Sequence, residues 1–379
     1  MARDGAAHQA WVLAGLMAAF IAYGSLYPFH VQALPPGVTL AQAWRMALAA
    51  PQGGRGDLLA NLALYMPLGL ALAAAGRGAA WLALPRGILL CAALSAAMET
   101  AQLYIPGRVA SIWDLALNTA GGGAGALAWV VLRPGRRRLP APRDLGAALL
   151  LAGWLGYRLY PYLPATDRGA WLASLRPLQG PWLADPVRVL RLAGAWLVAA
   201  RLLAAAAPGR PGLAAAMMLG TLAAAVPIIG RVLTPAEVLA VLLALPAWAL
   251  LRGWRHVDPV LLVVMLAVVL AEGLAPYRLL PWARPFGWLP FGALLGGENA
   301  AGLQAALLKV FLYGGLLWQA VRAGLRFRPA AAAVVALALA IGLVQTRLPG
   351  RSADATDAAL ALAAALALRP GLGARDRRG

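Results

Sequence analysis

Charge is what this chain has least of. Only 12% of its 379 residues are Asp, Glu, Lys or Arg, against roughly 25% in an ordinary soluble domain. Hydrophobic residues make up 62% of the chain, and its apolar runs approach 20 residues. An ordinary soluble core has no use for so many such runs, so a soluble globular protein is excluded. Acids are scarcer than bases, 14 against 33, for a net charge of +19. In a soluble protein that excess would suggest nucleic acid. Here the arginines sit between apolar runs, where they meet membrane lipid head groups, and no nucleic-acid module is visible. Lysine occurs once, as Lys309, and cysteine once, as Cys91. A disulfide within the chain is therefore impossible. His8, His30 and His256 are far apart and predict no metal site. No cofactor motif, Ser-His-acid set or Cys-His set is present.

The apolar runs predict an all-α, polytopic helical transmembrane protein of about twelve spans. The stretch at 188–206 is the least convincing, because Arg188, Arg191 and Arg201 interrupt it. The first run lacks a small-residue cleavage site and reads as a retained helix. Arginines crowd alternate short loops, at 133–143 and 322–328 for example. By the positive-inside rule both termini are expected in the cytoplasm. The expected location is the bacterial plasma (inner) membrane.

One motif recurs three times between apolar runs. Gly107-Arg108 is followed by Asp114, Gly230-Arg231 by Glu237 and Gly350-Arg351 by Asp357, each acid six residues after its arginine. Upstream, Tyr27-Pro28-Phe29 matches Tyr160-Pro161-Tyr162 and, less closely, Pro276-Tyr277. Similarity at a fixed period points to duplication. The chain is expected to hold three tandem four-helix units, 1–143, 144–257 and 258–379, the last with a basic cytoplasmic tail. All three Gly-Arg turns then face outward. Trp44, Trp171, Trp182, Trp282 and Trp288 fall in the outer loops and read as interfacial anchors.

Polar residues concentrate in the first unit. Asp57 and Asn61 share one helical face, with Tyr65 a turn further. Glu99 and Gln102 share another, and so do Asp114 and Asn118. The antiparallel spans are expected to bring these groups together with Arg108, as a ligand-binding cluster near the outer leaflet. Carboxylates are costly in a membrane span and normally have partners. Arg108 with Asp114 is the expected pair, either a clamp on a tight turn or part of the site. At the same offsets the third copy keeps Gln345 but has Gly342 and Ala361, and the second has Leu222, Ala225 and Val241. Arg231–Glu237 and Arg351–Asp357 therefore read as structural turn pairs. Glu272 and Lys309 are expected to form an intramembrane ion pair that acts as packing glue. Gly121 and Gly125 stand at GxxxG spacing, which favours close helix packing.

Residues 12–132 resemble the VanZ-like family of bacterial polytopic membrane proteins, named for a glycopeptide (teicoplanin) resistance determinant. The resemblance rests on Asp57-Leu-Leu-Ala-Asn61 through Tyr65-Met-Pro67-Leu-Gly69, on Glu99-Thr-Ala-Gln102, on Pro106-Gly107-Arg108, and on Asp114-Leu-Ala-Leu-Asn118-Thr-Ala-Gly121. The third unit matches in part, through Trp288-Leu-Pro290-Phe291 and Gln345 to Asp357. Many members carry a histidine where Asn61 stands, so a histidine-dependent role does not carry over. The resemblance implies a cell-envelope protein linked to glycopeptide or envelope-stress tolerance. The first expectation is binding of a lipid-linked or glycosylated envelope precursor. Two alternatives stand beside it, a membrane transferase or hydrolase with Glu99 as general base, and a scaffold for envelope-assembly proteins.

Overall fold

Apolar runs bounded by Gly, Pro and Asp fold here as helices, because a helix satisfies its own backbone polar groups inside lipid. The computed structural model describes residues 2–49, 55–76, 80–132, 143–292 and 299–373, with side chains over 7–48, 61–76, 81–132, 143–292 and 302–373. Among these residues the protein is all-helical. The chain divides into two compact units, Met1–Ala141 and Pro142–Gly379.

The first unit contains α1 (Ala2–Leu26), α2 (Leu40–Ala49), α3 (Arg55–Ala75), α4 (Ala83–Gln102) and α5 (Ile112–Leu132). Helix α1 stops at Tyr27-Pro28, since the residue before proline is held out of the helical region. Phe29 then turns the chain at φ 67°. Ala14, Ile21, Tyr65, Leu68, Leu72 and Cys91 form the main buried cluster between α1, α3 and α4. Helices α3 and α5 approach backbone to backbone. A Cβ on Gly121 would lie 2.2 Å from the Leu62 carbonyl oxygen, and one on Gly125 would lie 1.8 Å from that of Met66. The GxxxG spacing thus serves the close contact that it suggested.

The second unit contains α6 (Leu145–Leu159), α7 (Arg168–Leu175), α8 (Pro186–Ala206), α9 (Leu213–Ala225), α10 (Pro235–Leu251), α11 (Val257–Leu274), α12 (Asn299–Arg322), α13 (Phe327–Gln345) and α14 (Thr356–Leu372). Asp144, Asp167 and Asp185 cap α6, α7 and α8 through their carboxylates. Both later sets of four long helices share one core. At its centre Trp154 of α6 meets Trp196 of α8 edge-on at 5.3 Å and Phe311 of α12 at 4.7 Å. The expected units are a division by motif, while the contacts group the chain into two compact units.

Among the described residues, seven helices are long and apolar enough to cross a membrane. Helix α8 is one of them, despite its arginines. Arg191 pairs with Glu272 of α11, and Arg201 makes a two-pronged pair with Asp258 at 2.8 and 2.9 Å. The doubtful span is thus among the most enclosed helices, with Val198, Ala199 and Leu202 fully buried. Glu272 pairs with Arg191, and Lys309 pairs with Asp357. The expected Glu272–Lys309 pair does not form, because each residue meets a nearer opposite charge.

Candidate functional site

In the first unit, Asn61 on α3 lies opposite Asp114 on α5 and gives Nδ2–H to its Oδ1 at 2.7 Å. A turn along α5, buried Asn118 gives Nδ2–H to Ser95 Oγ of α4 at 3.0 Å. Among the described residues, nothing meets the buried Asn118 Oδ1 oxygen. Tyr65, buried on α3 a turn beyond Asn61, lies beside Ser95. Glu99, four residues after Ser95 on the same face, is buried and accepts the Ser111 amide on Oε2 at 2.8 Å. That amide stands at the start of α5, where the partial positive charge of a helix N-terminus suits a carboxylate. No described donor reaches the second Glu99 oxygen.

Helices α3, α4 and α5 thus bring together Asn61, Glu99, Asp114 and Asn118, as the sequence predicted. They add Ser95 and Ser111 to the cluster, beside Tyr65. Ser95 was detectable in principle by its four-residue spacing from Glu99. Ser111 acts through its backbone amide, for which no side-chain pattern exists. The side chain of Asp57 lies outside the described residues.

Gln102 and Arg108 turn elsewhere. Gln102 donates to the Ser25 carbonyl at 3.1 Å. Arg108 gives Nε–H to the Tyr27 carbonyl at 3.2 Å and Nη2–H to the Gly24 and Tyr27 carbonyls, both at 3.0 Å. The guanidinium therefore fastens the end of α1 in place of the expected pair with Asp114. The last carbonyls of a helix have no partner within it. A planar fork can serve two of them together.

The same bonds recur later in the chain. Gln345 donates to the Gly273 carbonyl at 2.9 Å. Arg351 gives Nε–H to the Ala275 carbonyl at 2.9 Å and Nη2–H to the Glu272 carbonyl at 2.7 Å. Arg351 is thus bound to the end of α11, and the expected Arg351–Asp357 turn pair does not form. Asp357 instead takes the Tyr313 hydroxyl at 2.7 Å and pairs with Lys309. The Arg231–Glu237 pair does form, at 3.2 Å, and Arg158 joins Glu237 from α6 at 2.7 Å. Glycines 107, 230 and 350 share a positive φ of 70–80° at the three turns, the left-handed conformation that glycine adopts without steric cost.

Arg108→Lys is expected to cost about 1–2 kcal/mol, since an ammonium cannot reproduce the fork and each charged hydrogen bond contributes on this scale. Unfolding in detergent measures it. A loss confined to ligand binding with unchanged stability would contradict the fastening role.

Residues 8–133 match the VanZ/LLP1 family model. No curated protein and no solved structure matches the chain. The matched segment holds every described residue of the α3–α5 cluster and both anchors of α1. Over residues 8–133 the first unit of this helical membrane protein is therefore VanZ-like.

Proposed function

We propose that the VanZ-like unit binds the glycosylated or amide-bearing head of a lipid-linked envelope precursor at the outer leaflet of the bacterial inner membrane. The observation that carries this reading is an acceptor that no described donor meets, the buried Asn118 Oδ1, beside the Glu99 carboxylate at the polar seam of α3, α4 and α5. A buried acceptor without a donor is costly. A hydroxyl or amide N–H of a ligand would relieve it. This favours sugar and peptide donors over a phosphate, because two nitrogens of the Arg108 guanidinium are already engaged with carbonyls. The outward placement follows from the arginine bias of the opposite loops. The recurring Gln and Arg bonds support descent of the three four-helix sets from one ancestral unit. In this reading the first keeps the site, and the others keep the frame. The biological setting is tolerance to glycopeptides or envelope stress.

A second reading makes Glu99 a general base. It is favoured by the way the Ser111 amide holds one carboxylate oxygen and leaves the other open. Native mass spectrometry of the protein in its own lipids separates the readings. If the site binds only, a lipid-linked adduct on wild type should fall by about tenfold or more in both Asn118→Leu and Glu99→Gln, the effect of roughly 1.4 kcal/mol. If the site reacts, Glu99→Gln should keep the adduct and accumulate it unconverted. Identical bulk-phospholipid spectra for all three proteins would sink both.

A further inference from the structure

The second unit carries a cationic cleft that the proposed function does not use. It lies where α8 ends at Ala206, α9 begins at Leu213 and α10 ends at Leu251. Its volume is about 240 Å³, and Arg201, Arg210 and Arg252 line it beside Trp248. Only Arg201 is neutralised. Its fork is closed on Asp258, a carboxylate that also draws Arg322 at 3.7 Å. The side chains of Arg210 and Arg252 are exposed, and among the described residues no carboxylate or other acceptor meets either one. Gly209, at φ 80°, turns the chain so that Arg210 and the first turn of α9, through Ala214, face one space. Gly212 caps α9 without a side chain, which leaves the helix start open to an anion.

These features belong together. Two guanidinium groups without a described partner, an uncapped helix start and an apolar wall stand at the end of α8, a helix of membrane length, beside the shorter apolar helices α9 and α10. A soluble anion needs the charge but has no use for the wall. An amphiphile with an anionic head needs both, at this depth. We propose that the cleft binds the phosphate of an anionic phospholipid, with Arg210 and Arg252 on the phosphate oxygens and the acyl chains along α8 and α10.

The test uses the full chain in phosphatidylcholine nanodiscs containing a minority of phosphatidylglycerol, with native mass spectrometry reading the lipids retained. Wild type should retain phosphatidylglycerol selectively. The double variant Arg210→Gln/Arg252→Gln should lose that selectivity by roughly thirtyfold, as expected from two arginines at an anionic surface. Both positions are exposed, and thermal unfolding checks that the variant folds. A control, Arg326→Gln/Arg328→Gln, removes equal charge from exposed positions outside the cleft and should keep the selectivity. Equal retention by wild type and the cleft variant overturns the site. Equal loss in the control overturns it too, since general surface charge then explains the binding. Full displacement of the lipid by glycerol phosphate overturns the lipid assignment in favour of a soluble phosphate ligand.

Discussion

Glu237→Gln is expected to destabilise the second unit by about 3–5 kcal/mol, the range for removing one partner from a buried ion cluster. Glu237 is the shared carboxylate of Arg158 and Arg231. The Arg158 side chain is only 5% exposed and that of Arg231 only 19%. Among the described residues, no acceptor meets their buried Nε atoms. Burial, with Arg158 close by, already pushes the Arg231 guanidinium below its ordinary range. Trp154 and Trp196 lie 5.8 and 5.9 Å from the Arg158 guanidinium and supply some compensation through their ring faces. Without the carboxylate, two cations would remain in an apolar core. The triple change Arg158→Met/Arg231→Met/Glu237→Leu should cost far less, because it removes the charges together. Denaturant unfolding in detergent measures both variants. A Glu237→Gln loss no larger than that of the triple variant would mean the cluster is solvated.

Gly125→Ala is expected to break the first unit, at a cost of about 3 kcal/mol or more, the upper end for overpacking. The added Cβ would stand 1.8 Å from the Met66 oxygen and 2.8 Å from the Leu70 nitrogen. Both are backbone atoms of α3, so no rotamer change relieves the clash. Gly121→Ala should act in the same direction, against the Leu62 carbonyl. Gly15→Ala is the control. Its Cβ meets nothing within 4 Å, and alanine is favoured over glycine in a helix by about 0.5–1 kcal/mol. Limited proteolysis with thermal unfolding separates the outcomes. Equal stability of Gly125→Ala and Gly15→Ala would rule out the close α3–α5 contact.

Much of the candidate site was legible before folding. Asn61, Glu99, Asp114 and Asn118 are polar residues at helical spacing inside apolar runs, and such residues must face one another rather than lipid. Their convergence followed from span direction and helical periodicity. Gly121 and Gly125 were legible for the same kind of reason, because small residues at that spacing admit a neighbouring backbone. Ser111 was not, since its contribution to Glu99 is a backbone amide. Trp154, Trp196 and Phe311 were legible only as apolar residues. Their meeting in one core depends on contacts between distant segments.

The sequence by itself determined which positions carry polar atoms, which stretches are apolar enough to fold as helices and where the Gly-Arg turns fall. These follow from local composition and from the alternation of apolar runs with turn residues. Only the tertiary structure decided the partners. Arg108 and Arg351 left the acid six residues ahead for carbonyls at the ends of α1 and α11, more than 75 residues back in the chain. Lys309 took Asp357, and Glu272 took Arg191. In a medium without water each charge and each open carbonyl needs a protein partner. Proximity in the folded chain selects that partner, and spacing along the sequence does not encode it.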